Sequence, residues 1–206
     1  MKIELPRGST IGANVTDVDG DDTSATTYQW YRADTSGGAR TPIGGATGTT
    51  YTPGIADFRK FLVFEVSPKT TTGTPNTGTV VRRYTDNGIR ASFSNGSRPY
   101  LYPGNTDSSI SVSGYTGNAT SNAYVYYKIS SYPEHVWGIS AQLIAPDGTA
   151  YNVGTPNING CGYPCHDKGV TLNLSSEVMN GTWTLRVTNS RGEIYAERLE
   201  GWSITF

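Results

Sequence analysis

The stretch that decides the fold is Met179–Val187, MNGTWTLRV, together with the closing segment Leu199–Phe206, LEGWSITF. In the first stretch an Asn-Gly turn leads into a run in which every second residue from Trp183 onward is apolar. Alternation with a period of two predicts a β-strand with one buried face, and Asn-Gly is a strong hairpin signal. The closing segment repeats the alternation around Trp202. We therefore expect sheet strands here, with Trp183 and Trp202 in a core.

Composition extends this expectation to the whole chain. Its 206 residues include 25 Gly, 11 Pro and 14 Tyr, and only 16% are charged. A helical bundle would need more Ala, Leu, Glu and Lys, and the aromatic content is too high for a disordered chain. Short β-type runs recur at the spacing typical of sandwiches, among them Thr26–Ala33, Phe61–Ser67, Ala123–Ser130 and Val170–Leu174. The predicted fold class is all-β, with two β-sandwich domains in tandem.

The charge balance excludes two classes of partner. The formal net charge is -1 and the sequence pI is about 6.1, so the chain has no basic footprint for nucleic acid. A membrane span needs roughly 18 consecutive apolar residues, and the sequence contains no such run. We expect neither nucleic acid as a partner nor a membrane span.

A polar segment rich in Gly, Ser and Asn, Thr85–Pro99, suggests a boundary between the two domains. We place a first domain at residues 1–84, a linker at 85–97 and a second domain at 98–206. In the first domain Trp30 lies within TYQWYRA, an alternating run, and is predicted to be a core residue.

Several pieces of the first domain resemble the bacterial immunoglobulin-like repeats of large secreted and cell-surface proteins. They are DVDGDD at Asp17–Asp22, TTYQWYRAD at Thr26–Asp34, the segment Gly45–Pro68 and a closing strand near Val80. The resemblance covers about residues 9 to 81. It implies a spacer or binding module.

The second domain resembles the P domain (P/Homo B) that follows the catalytic domain in proprotein convertases and in many secreted bacterial peptidases. The matching motifs are GTWTLRV at Gly181–Val187, WSITF at Trp202–Phe206 and LIAPDGT at Leu143–Thr149. The resemblance runs from about residue 98 to 206. It implies a jelly-roll-like sandwich, a catalytic domain in cis as partner, and secretion or an extracellular surface location.

Two features of the sequence bear on whether the chain binds calcium as a cofactor. The acidic turn formed by Asp17, Asp19, Asp21 and Asp22 offers side-chain oxygens for a hard cation, although a solvated turn explains it as well. The P-domain family commonly has carboxylates where this chain has Gly138, Asn189 and Tyr195, which argues against a family-type calcium site. The remaining carboxylates are expected at the solvated surface: Asp107, Asp147, Asp167, Glu193 and Glu197.

Cys161 and Cys165 are the chain's two cysteines and lie in one short loop. A disulfide fits an extracellular β-protein. A zinc site would need further ligands, and haem attachment normally has two residues between the cysteines. We expect the disulfide to constrain a projecting, partly aromatic loop that includes Tyr163.

Aromatic residues supply the candidate binding surface. On the predicted strand Ala123–Ser130, Tyr124 and Tyr126 share one face and Tyr127 lies on the other. With Tyr132, Trp137 and Tyr163, one face could bind a polysaccharide or a polymeric protein. Alternatively, one face is core and the other is ordinary surface.

No catalytic constellation is evident in the sequence. The two histidines, His135 and His166, have no Gly-x-Ser-x-Gly or His-Glu-x-x-His motif to accompany them. We therefore expect a non-catalytic chain. The resemblance to the P domain implies that it is an accessory region of a secreted bacterial hydrolase, a serine or metallo-peptidase, in which the P-like domain stabilises the catalytic domain or helps to bind substrate. The alternative is an adhesin or polymer-binding pair of modules.

Overall fold

The structure is a computed structural model, and it describes residues 11–12, 23–71, 76–132, 135–158, 160–162, 164–192 and 197–206. The chain divides into two compact units, Met1–Ala91 and Ser92–Phe206. Strands account for most of the regular structure in both units, which confirms the all-β fold class. Within the described residues, no helix has both the length and the apolar character needed to cross a bilayer.

The first unit contains a small and a larger antiparallel sheet. Its strands are β1 (Ile11–Gly12), β2 (Thr27–Ala33), β3 (Arg40–Pro42), β4 (Thr50–Tyr51), β5 (Phe61–Ser67) and β6 (Val81–Tyr84), and its 3₁₀ turns are Thr23–Ala25 and Ile55–Asp57. Strand β1 pairs with β4, and the larger sheet has the order β3-β2-β5-β6. The sequence predicted β2 and β5 closely because both are long alternating or apolar runs.

Trp30 lies at the centre of the first unit's core. Its ring centroid is 4.4 Å from that of Phe64 on the paired strand, and its indole N–H donates to the carbonyl of Gly48 over 3.0 Å. Leu62 and Ile89 complete the same cluster. Burial of these side chains holds the larger sheet against the loops that cover it.

A buried carboxylate, Asp57, ties a 3₁₀ turn to the first unit's core. Its Oδ1 forms an ion pair with Arg32, and its Oδ2 accepts hydrogen bonds from the Tyr51 hydroxyl at 2.8 Å and the Gly54 amide at 2.6 Å. The side chain has no exposed surface. These partners satisfy a charge that would otherwise be costly to bury.

Glu65 is the centre of a second charged cluster, on the outer side of β5. Burial alone would raise the pKa of Glu65, but hydrogen bonds from Tyr31 and Arg82 hold that pKa below its usual range. Arg40 adds a further ion pair at 3.0 Å. The cluster therefore stabilises the first unit as long as Glu65 is ionised.

The second unit is a sandwich of two four-stranded antiparallel sheets, counted over the described residues. Its strands are β7 (Ser92–Asn95), β8 (Gly104–Val112), β9 (Ala123–Ser130), β10 (Ile139–Ile144), β11 (Ala150–Gly154), β12 (Cys165–Leu172), β13 (Gly181–Asn189) and β14 (Arg198–Thr205). The sheet orders are β12-β9-β14-β7 and β11-β10-β13-β8. Successive strands change sheet except from β10 to β11, which is the jelly-roll arrangement that the sequence predicted.

The core of the second unit contains both tryptophans of the deciding stretch. Trp183 and Trp202 are buried. Their indole N–H groups donate to the Met179 carbonyl and the Ser108 hydroxyl, each over 3.0 Å. Each tryptophan buries a large apolar surface while keeping its polar N–H satisfied, which suits it to the space between two sheets.

The predicted linker at residues 85–97 is not a separate segment, because the first unit extends to Ala91 and the second begins at Ser92. Ser92–Asn95 forms β7, which pairs with the closing strand β14 from Ser92↔Thr205 to Asn95↔Trp202. In the first half, Ile89 is buried in the first unit's core cluster. The polar composition of this segment was misleading because a four-residue edge strand with one apolar residue looks like a loop.

Candidate functional site

Tyr127 does not belong to a binding surface, which corrects the prediction for this residue. Its side chain is 0% exposed, and its hydroxyl donates over 2.8 Å to the carbonyl of Gly154. Burial raises the pKa of the Tyr127 phenol. Ala123, Val125 and Ile129 are buried with it, so this side of β9 is core and the opposite side faces outward.

The outward side of the sheet β12-β9-β14-β7 forms the first candidate surface, which we name the sheet face. Tyr124 and Tyr126 lie at its centre on β9, in register with Thr205 and Ser203 of β14. Gly169 and Thr171 flank them on β12, and Ser92 and Ser94 lie on β7. Two of the predicted binding residues, Tyr124 and Tyr126, therefore occupy one surface, rich in small and hydroxylated residues.

Hydrogen bonding fixes the position of Tyr126 on the sheet face. Its hydroxyl donates over 2.7 Å to Oδ2 of Asp167, and the ammonium nitrogen of Lys128 lies 5.7 Å from its ring centroid. Burial, with help from the Asp167 carboxylate, raises the pKa of Tyr126 to about 12. Tyr126 is thus held by polar partners on its own face, whereas Tyr124 is 42% exposed.

The second candidate surface is one end of the sandwich, which we name the loop end. It consists of the described parts of the loops that follow β7, β9, β11 and β13. Trp137 is 75% exposed there, and Tyr102 and Tyr132 are also exposed. Tyr100 contacts Arg198, whose guanidinium carbon lies 4.0 Å from the ring centroid and whose Nη2 donates to the phenol oxygen. Tyr100 is also exposed, so four exposed aromatic side chains lie in the loops at this end.

A buried carboxylate beside a histidine lies under the loop end. Glu197 is 1% exposed, and its Oε1 lies 3.6 Å from Nδ1 of His135. The expectation that Glu197 is solvated is therefore wrong. The ring of His135 also packs edge-on against Tyr132 with 5.7 Å between centroids. His135 therefore packs within the loops at this end of the sandwich.

The disulfide between Cys161 and Cys165 is confirmed, with 5.2 Å between the Cα atoms. Cys165 is the first residue of β12 and pairs with Ser130 of β9, so the crosslinked loop is anchored to the sheet at the loop end. Ser131 donates its amide hydrogen over 3.1 Å to the carbonyl of Pro164 in that loop. Tyr163 lies outside the described residues.

At two of the family's acidic positions, other residues of the chain occupy the space or bond the polar groups. Asn189 uses both ends of its amide, donating from Nδ2 to the Leu101 carbonyl over 2.9 Å and accepting from the Arg191 amide at 3.0 Å. A Cβ at Gly138 would lie 2.7 Å from Cγ of Arg191, so the arginine occupies that space. Tyr195 lies outside the described residues, as do Asp17, Asp19, Asp21 and Asp22.

In the part of the chain that the structure describes, no cluster of three or more His, Cys, Asp or Glu residues is placed to hold a metal ion.

The sequence alone did not reveal three features of the two surfaces. These are Gly169 beneath Tyr124, the hydroxyl rows of β7 and β14, and Tyr100 with Tyr102. Alternation in the closing segment already placed Ser203 and Thr205 on one outward face, whereas nothing in the sequence marked Gly169.

The second unit is a jelly-roll β-sandwich by its strand order. Comparison with known proteins shows which family of such sandwiches it resembles. Residues 126–206 match the family model of the proprotein convertase P-domain. The leupeptin-inactivating enzyme 1 of Streptomyces exfoliatus is 38% identical over 101 residues, which is 48% of this chain and 22% of that protein. Both findings support a P-domain in this part of the chain, and the matched segment is less than a quarter of the relative's length.

Solved structures resemble the chain only weakly. A serine protease of Aeromonas sobria aligns with a TM-score of 0.35 and 11% identity, covering 85% of this chain and 36% of that one. A β-porphyranase of glycoside hydrolase family 86 from Bacteroides plebeius aligns with a TM-score of 0.37 and 11% identity, covering 97% and 32%. Similarities this low support no conclusion about function.

Proposed function

We propose that the chain is a non-catalytic accessory region of a secreted bacterial peptidase, of the serine or metallo class, with an immunoglobulin-like spacer followed by a P-like domain. The observation that carries this proposal is the match of residues 126–206 to the P-domain family model. The Streptomyces exfoliatus relative, whose name describes an enzyme that inactivates leupeptin, supports a peptidase-related parent. The localisation that follows is extracellular.

In this proposal the P-like domain acts by docking onto a catalytic domain in cis. The loop end supplies a suitable surface, because Trp137 is 75% exposed and exposed tyrosines surround the same end of the sandwich. Trp and Tyr are the residues in which binding energy concentrates at protein interfaces. His135 packs against Tyr132 at this end, and the disulfide-linked loop accepts a hydrogen bond from Ser131 beside it. The contribution to function is a docking free energy.

The experiment compares the parent protein with a form that lacks residues 92–206 and with Trp137→Ala. We expect the deletion to lower the melting temperature and yield of the catalytic domain. Trp137→Ala should reproduce part of that loss, because a central interface Trp contributes about 2 kcal/mol or more. The matched control is Tyr124→Ala on the sheet face, which should change neither. An unchanged melting temperature and activity after the deletion would contradict the stabilising role.

A second candidate function is recognition of a polymer, as in an adhesin or a polysaccharide-binding pair of modules. The sheet face favours it, because Tyr124 and Tyr126 lie among hydroxylated residues rather than aliphatic ones. Pull-down on collagen, chitin, cellulose and alginate distinguishes the two functions. Binding to any of these polymers favours recognition. No binding to all four, with tight association to the separated catalytic domain, favours the accessory role.

A further inference from the structure

Tyr124 leans across the strand next to its own. An ideal Cβ at Gly169 of β12 would lie 2.0 Å from the Tyr124 hydroxyl oxygen and 2.7 Å from its Cζ. The phenol therefore crosses the backbone of β12 at a position that only a glycine leaves open. Because the residue is still 42% exposed, the ring presents apolar surface to solvent from a position close to the sheet.

Hydroxyl groups line the two strands on the other side of β9 from the strand that this ring crosses. Thr205 of β14 is in register with Tyr124, and its Oγ1 lies 2.9 Å from the hydroxyl oxygen of Ser92 on β7. Ser203 and Ser94 form the next matched pair along the same strands. Each hydroxyl can both donate and accept a hydrogen bond. The sheet face thus combines one exposed aromatic ring with rows of hydroxyl groups.

The charged groups of the sheet face already have partners within the fold. Asp167 accepts from Tyr126, and Lys128 lies against the Tyr126 ring. Glu200 forms an ion pair with Arg98 and accepts from the Ser130 hydroxyl over 2.7 Å. A charged ligand would have to compete with these contacts, so the face best complements a neutral ligand.

We propose that the sheet face is a binding site for a neutral polysaccharide, with one sugar ring stacked on Tyr124 and neighbouring sugar hydroxyls bonded to Ser203, Thr205 and Ser92. The C–H face of a pyranose ring is apolar and fits the face of a phenol. The hydroxyls of the sugars that follow along the polymer, across β9, then meet the hydroxyl rows of β14 and β7. This proposal deepens the second candidate function and is independent of docking at the loop end.

A protein ligand fits the same face less well. Serine and threonine are under-represented among the residues that dominate protein interfaces, and the sheet face is rich in both. The centre of a protein interface also needs aliphatic and aromatic area in a continuous patch. Here Gly169 and the serines on β7 interrupt the apolar area of Tyr124.

The test is isothermal titration calorimetry of the whole chain with four neutral oligosaccharides: cellohexaose, chitohexaose, xylohexaose and laminarihexaose. We expect at least one to bind with a Kd of about 1 mM or tighter. Tyr124→Ala should weaken that binding at least about tenfold, as expected when the main stacking surface is removed. Tyr124→Phe should retain it. Gly169→Ala should weaken it as Tyr124→Ala does, since the new Cβ must displace the ring.

The matched control is Tyr102→Ala, which removes an exposed tyrosine from the loop end and should leave binding unchanged. Far-ultraviolet circular dichroism checks that each variant is folded. The proposal is overturned if none of the four oligosaccharides binds, or if Tyr102→Ala weakens binding as much as Tyr124→Ala does. It is also overturned if gelatin binds the chain and Tyr124→Ala abolishes that binding while the oligosaccharides give no heat.

Discussion

Removal of one buried hydroxyl, in Tyr127→Phe, tests the placement of Tyr127 in the core of the second unit. The hydroxyl of Tyr127 on β9 donates to the carbonyl of Gly154, the last residue of β11, over 2.8 Å. These strands belong to different sheets, so the hydrogen bond crosses the sandwich. The substitution keeps the ring and its apolar contacts, and no cavity larger than one oxygen atom forms.

The expected cost is about 1–2 kcal/mol of the free energy of unfolding, because the Gly154 carbonyl loses its donor in a partly buried place. A loss of this size lowers the melting temperature of the unit by several degrees. Urea denaturation followed by circular dichroism measures it, with the transitions of the two units fitted separately.

Tyr126→Phe is the matched control from the same strand. It removes a hydroxyl that bonds to Asp167 on the outward face, where water can replace the lost contact. We expect it to cost less than Tyr127→Phe, about 0.5–1 kcal/mol. If Tyr127→Phe costs no more than Tyr126→Phe, the placement of Tyr127 between the sheets is wrong.

Three further predictions concern the disulfide of the second unit and the two charged clusters of the first unit, around Asp57 and Glu65. Replacing Cys161 and Cys165 together by Ser should cost at most about 2 kcal/mol in urea denaturation, because the crosslink spans a sequence separation of only 4; a larger loss would show that the loop is integral to the sandwich. Asp57→Ala should cost about 3 kcal/mol, measured in the first unit's unfolding transition, because Arg32 and its neighbours lose a buried partner; a loss below about 1 kcal/mol would contradict the buried network. The pKa of folded Glu65 lies below its usual range. Ionised Glu65 therefore adds to the free energy of unfolding above about pH 4.3, and this stabilisation is lost as the pH falls through the folded pKa. Glu65→Gln should flatten this acidic part of the profile of stability against pH, and an unchanged profile would contradict the role given to Glu65.

Much of the strand pattern could be predicted from the sequence, and the exceptions have a common physical cause. Phe61–Ser67 and Ala123–Ser130 were predicted with the observed bounds because their apolar residues are dense enough to indicate burial without knowledge of the partner strand. In contrast, β12 begins at Cys165, five residues before its predicted start at Val170, with the polar run CHDK. That run becomes a strand because β9 offers it a complete ladder of backbone partners.

The two candidate surfaces were only partly predictable. The sequence predicts that Tyr124 and Tyr126 share one side of a strand, as the structure shows. It also indicates Trp137 as a candidate binding residue, and this side chain is exposed. Gly169 was not identified, because a glycine in a strand has meaning only when the side chain that crosses it is known. Tyr100 and Tyr102 lie in a loop, and their neighbours there come from other loops distant in sequence.

The sequence by itself determined the all-β class, the jelly-roll resemblance of the second unit, the disulfide and the division of each strand into two opposite faces. The all-β class, the disulfide and the two faces follow from local alternation, turn residues and cysteine spacing, whereas the jelly roll was implied by the resemblance to the P-domain family. Only the tertiary structure decided which of the two faces of β9 is core, placing Tyr127 inside and Tyr124 outside. Alternation separates two sets of side chains, but burial depends on the second sheet, and the position of that sheet is decided by strands that are distant in the chain.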